Sequence, residues 1–167
     1  MELGTPAVFA ATWLTMMAAM MLPGAVPAVG RAAAATGRAL TVPLFAGSYL
    51  AVWAAVGLLV YAVYAPHGAV ATGIVAIAAG VYELTPLKRA CRERCQRTVR
   101  SGVHFGVYCV GSSIGLMAIL VAVDVMSIVW CVVVAAVITA QKLLPPRALI
   151  DIPVALAIVG LGFASIA

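Results

Sequence analysis

Charge is what this sequence has least of. Ten Lys and Arg with five Asp and Glu make up 9% of its 167 residues, where a soluble domain carries about 25%. That shortage excludes an ordinary water-soluble globule, because a chain that is 65% hydrophobic would expose large adhesive patches in water. Polar linkers are also missing, so one membrane domain over residues 1–167 is expected, with no soluble lobe. Four cysteines at irregular spacing make no disulfide framework. No phosphate loop, catalytic triad or zinc-protease motif occurs, and we expect no enzyme.

What the chain has in abundance is apolar length. Its runs are near-continuous and rich in Ala, Leu and Val, without the period-2 alternation of barrel strands. A bilayer then demands helices, whose backbone groups satisfy one another. Six runs are long enough or nearly so: residues 5–22, 41–65, 69–84, 103–123, 125–144 and 149–166. Pro23 and Pro27 should close or kink the first. Its flank holds only Glu2 as a charged side chain, so it reads as a helix rather than a signal peptide. The expected fold is all-α, a polytopic bundle of about six transmembrane helices.

The basic residues test this map. Arg31 and Arg38 follow the first run, Lys88, Arg89, Arg92, Arg94, Arg97 and Arg100 the third, and Lys142 and Arg147 the fifth. The other connections and both ends carry none. The positive-inside rule places the three basic loops in the cytoplasm and both termini outside. A net charge of +5 placed this way points to anionic lipid at the basic loop, not to nucleic acid.

Few residues can carry chemistry, and most are sulfur. Met16 and Met20, like Met17 and Met21, are i, i+4 neighbours sharing a helix face. Thioethers suit Cu(I), although methionine also fills gaps in helix packing. Cys91 and Cys95 form C-x-x-x-C, which puts both sulfurs on one face of a helix; it is not the C-x-x-C of a thioredoxin-like redox motif. Glu83 is either a helper ligand or proton acceptor, or a boundary carboxylate paired with Lys88 or Arg89. His104 begins the fourth run, with Cys109 and Met117 deeper, and these two read as core packing. Asp124 reads as a solvated turn residue, and Gly111 and Gly115 as a small-x-x-x-small helix contact.

Taken together these segments resemble a bacterial family described as predicted metal-binding integral membrane proteins. The shared features are A-M-M-x-P from Ala19 with a further proline behind, and a looser echo in Tyr49 and Trp53. Further on come L-T-P-x-K-x-x-C-x-x-x-C over Leu84, Thr85, Pro86, Lys88, Cys91 and Cys95, and G-x-x-x-G-x-Y-C-x-G over Gly102, Gly106, Tyr108, Cys109 and Gly111. The resemblance covers about residues 13–145. This chain departs from it at Ser112, Ser113 and Ile114, where Cys-Cys-Trp is expected, and at Gln141-Lys142, where Glu-Lys is usual. The resemblance implies metal binding in the bacterial inner membrane. With the donors present, we expect Met17, Met20, Met21, Cys91, Cys95 and His104 to hold metal at the cytoplasmic leaflet. Copper(I) is favoured, with zinc as the alternative if two thiolates join His104. The rival readings are a scaffold subunit of a larger membrane complex, whose partner is another membrane protein or a second copy, and a thiol redox protein using Cys91 and Cys95.

Overall fold

A computed structural model describes residues 5–38, 40–64, 68–97, 101–124, 127–144 and 151–166. Pro66 and His67 of the expected outer turn, Arg100, Arg147 and the side chain of Asp124 lie outside the described residues. Among the described residues there are seven helices: α1 Pro6–Thr36, α2 Thr41–Val63, α3 Ala69–Glu83, α4 Pro86–Arg97, α5 Gly102–Asp124, α6 Ile128–Leu143 and α7 Asp151–Ile166.

α1 starts where its sequence says it should. Thr5 is the N-cap, its hydroxyl accepting from the Val8 amide, and Pro6 supplies a preset first turn. It does not stop where expected. The helix runs 31 residues through Pro23 and Pro27 and ends at Gly37, whose left-handed backbone (φ 63°) lets its amide reach the Ala33 carbonyl. The two prolines lie one turn apart and both are exposed, while Gly24, Ala25 and Ala28 are buried on another face. The rings therefore sit outside the packed face, and the helix forgoes two backbone bonds rather than breaking.

The six expected spans need correction in length. α1, α2 and the Gly102–Val123 stretch of α5 are long and apolar enough to cross a membrane. α3 and α4 pass that test only as a pair bent by 64°. α6 and α7, 16 residues each, extend about 24 Å against a hydrocarbon core of about 30 Å. The bend has a local cause. Pro86 disfavours helical backbone at Thr85, which instead becomes the cap of α4: its hydroxyl accepts from the Lys88 amide at 3.3 Å and donates to the Tyr82 carbonyl at 2.7 Å.

The chain divides into two compact units. Unit 1 comprises Met1–Pro66 and Arg94–Val110, and its core lies between α1 and α2 with the start of α5. The Trp13 indole donates to the Trp53 carbonyl at 2.9 Å, and Gly57 opposite leaves room for the ring. Phe9 stacks on Trp13, while Phe45 and Tyr49 meet Phe105. Unit 2 comprises His67–Glu93 and Gly111–Ala167, and α3 packs along α7 within it. Gly73 and Gly162 face one another there: a Cβ on Gly162 would lie 3.0 Å from the Gly73 carbonyl oxygen. Such small residues let helix backbones approach closely. Leu44, Leu58, Leu59, Val132, Leu156 and Phe163 meanwhile point outward, the pattern a lipid solvent favours over water.

Candidate metal centre

The soft donors of unit 1 are buried. Met17, Met20 and Met21 on α1, Cys95 on the last turn of α4 and Cys109 on α5 are each at most 4% exposed. α1 aligns its methionines because Phe9, Trp13, Met17 and Met21 recur every fourth residue on the face turned to α2. Cys109 follows Phe105 by one turn and so inherits the ring cluster of α2. The Tyr49 hydroxyl and the Cys109 sulfur are hydrogen-bonded at 3.2 Å, both fully buried. The last turn of α4 is pinned from two sides. Arg31 of α1 donates to the Gln96 carbonyl at 2.8 Å, and the Arg94 guanidinium lies over the Tyr108 ring at 5.7 Å.

The other expected ligands are less deeply buried. Cys91 is half-buried in unit 2, where its sulfur lies 2.7 Å from the Cβ that Gly111 lacks. His104 is exposed, and its Nδ1 is hydrogen-bonded to the Ser101 hydroxyl at 2.9 Å. Among the described residues no three His, Cys, Asp or Glu side chains gather as a metal cluster, so the zinc set of two thiolates with His104 is not assembled. Met117 is buried in the half of α5 belonging to unit 2. Cys109 is buried, as the packing expectation had it. Its hydrogen-bond partner lies sixty residues earlier, at a tyrosine visible in sequence only as part of a loose motif echo.

Unit 2 holds a buried ion network instead. Lys88 pairs with Glu83 across the α3–α4 corner and reaches Asp151 at 3.8 Å. Arg92 Nη1 donates to both Asp151 carboxylate oxygens at 3.0 Å, and its Nη2 donates to the Leu144 carbonyl. The Gln141 amide donates to Glu83 and to Asp151, each at 3.1 Å. All five side chains are buried, and the charges balance, two against two. Glu83 is thus the paired carboxylate of the blander expectation, and it is shielded from solvent. Its Oε1 has no hydrogen-bond partner among the described residues and faces Gly115. The expected basic loop is split by burial: Lys88 and Arg92 are interior, while Arg89, Arg94 and Arg97 are exposed.

These observations define an all-helical protein with helices of membrane-spanning length and thiol and thioether groups buried among them. The chain belongs to the PpoB2 copper chaperone family, whose model matches residues 10–165. No curated protein and no solved structure matches the chain.

Proposed function

We propose that this chain is a non-catalytic copper(I)-handling protein of the bacterial inner membrane, and that its cargo is held by sulfur donors of unit 1. The observation that carries the reading is the burial of Met17, Met20, Met21, Cys95 and Cys109 in one unit, with the Tyr49 hydroxyl bonded to Cys109. The family description supports the metal. The donor set fits it: thiolates and thioethers select Cu(I), and the unit offers no buried carboxylate or imidazole among its described residues for a harder ion. In this reading Cys95 and Cys109 bind as thiolates and the methionines as neutral donors. Tyr49 donates its hydroxyl proton to the Cys109 sulfur, holding it in place. Water is excluded by Trp13, Trp53 and Phe105, which keeps the thiolates from oxidation. With no nucleotide motif in the chain, copper would move down a gradient or by exchange with a partner.

We further infer six crossings with both termini outside from the ten-to-zero split of basic residues, α6 and α7 crossing a thinned bilayer. Release then takes place at the cytoplasmic leaflet, where exposed Arg94 and Arg97 meet anionic lipid.

The test is Cu(I) titration of the purified full chain against a competing chelator. Cys95→Ser and Cys109→Ser should each lower bound copper, and Met17→Leu with Met21→Leu should change selectivity while keeping volume. Cys91→Ser is the discriminating arm. If it removes copper as fully as Cys95→Ser while Cys109→Ser does not, the site is the C-x-x-x-C pair and the unit 1 assignment fails.

A further inference from the structure

Unit 1 also carries an open cleft of about 390 Å³, where the end of α1, the start of α2 and the start of α5 meet. Its size lies in the range of small-molecule sites, about 300–1,000 Å³. Its rim is polar: Arg38, Thr36, Thr41 and Ser101 contribute. Leu40 and Leu44 form an apolar wall, and both are about 70% exposed, so the cleft continues onto the outward-facing surface of α2. Arg38 is the charged residue of its lining. The charge of the unit is of one sign: Arg31, Arg38, Arg94 and Arg97 are exposed, and no Asp or Glu occurs among its described residues.

We propose that this cleft seats the phosphate head group of an anionic phospholipid. Arg38 supplies the charge, the Thr41 and Ser101 hydroxyls flank the phosphate, and an acyl chain runs down Leu40 and Leu44. A soluble anion would use the guanidinium but not the wall, whereas a lipid uses both. Basic pockets at the cytoplasmic ends of membrane helices are suited to anionic head groups for this reason. The inference rests on the membrane reading and is independent of copper. Extraction of the chain from cell membranes tests that reading separately.

The experiment is native mass spectrometry of the full chain in mild detergent with phosphatidylglycerol or phosphatidylcholine added. The wild type should retain one phosphatidylglycerol at concentrations where phosphatidylcholine is lost. Arg38→Gln should weaken retention about fivefold, the worth of one charge near an anionic surface, and Arg89→Gln, exposed on α4 and outside the cleft's lining, should change it less than twofold. Leu44→Trp, which fills the cleft from an exposed position, should lower retention with every charge intact. Equal losses from Arg38→Gln and Arg89→Gln would reduce the site to diffuse attraction and overturn the proposal. So would equal retention of phosphatidylcholine, an unaffected Leu44→Trp, or displacement of the lipid by excess inorganic phosphate.

Discussion

Lys88 and Glu83, five residues apart, form an ion pair across the Thr85-Pro86 corner, and both side chains are shielded from solvent. The geometry follows from the corner itself. Glu83 closes α3 and Lys88 lies in the first turn of α4, so the 64° bend turns two helix ends toward one another. Desolvating two charges is expensive, and partners on α6 and α7 offset it.

Removing one partner of this network therefore destabilises the fold. Lys88→Met or Asp151→Asn should cost about 3–5 kcal/mol by leaving an uncompensated buried charge. Lys88→Met combined with Glu83→Leu should recover part of that loss. Thermal or denaturant unfolding in detergent measures both, and additive losses in the double variant would mean the pair is not coupled.

Arg92 separates surface charge from interior charge. Arg92→Gln should lower unfolding stability, because Asp151 loses its two-oxygen partner. Arg97→Gln should leave stability nearly unchanged and weaken flotation with anionic liposomes, more so at low salt. An Arg92→Gln protein with wild-type stability would show that the Arg92–Asp151 contact contributes nothing to folding.

Tyr49→Phe keeps the ring and deletes the hydroxyl bonded to Cys109. If Cys109 holds copper, the loss of one hydrogen bond of about 1 kcal/mol should weaken Cu(I) binding about fivefold. Chelator competition reads it, and unchanged affinity would detach Tyr49 from the site.

The α3–α7 contact distinguishes two glycines two residues apart. Gly162→Ala places a methyl group 3.0 Å from the Gly73 carbonyl oxygen and 2.8 Å from Ile77, so it should destabilise by about 1–3 kcal/mol. Gly160→Ala meets nothing within 4 Å and should be neutral or stabilising by up to about 1 kcal/mol. Thermal unfolding of the two variants should rank them in that order.

Topology is tested by reporter fusions. Fusions after Gly37, Gly102 and Arg147 should read cytoplasmic, and those after Gly68 and Ala167 external. A cytoplasmic reading at Ala167 would remove the six-crossing arrangement.

The sequence by itself determined that this chain is helical. An apolar run in an apolar solvent can satisfy its backbone only along itself, so helix content follows from composition. Local chemistry also determined some boundaries: Thr5-Pro6 opens α1, and Thr85-Pro86 breaks α3 from α4. The methionine face was legible because four-residue spacing is a property of the helix alone. The far end of α1 was not, because the harm a proline does depends on which face it occupies. Pro23 and Pro27 point away from the packed side, and that side is defined by α2. The pairing of Glu83 with Lys88 was open to sequence, since five residues separate them, but the burial of Lys88 and Arg92 was not. Their fate was decided by Gln141 and Asp151, which approach only when α6 and α7 pack. The partner of buried Cys109 was set in the same way, by a tyrosine sixty residues distant. Burial of a polar or soft group is favourable only when its partner is present, and tertiary packing alone brings such partners together.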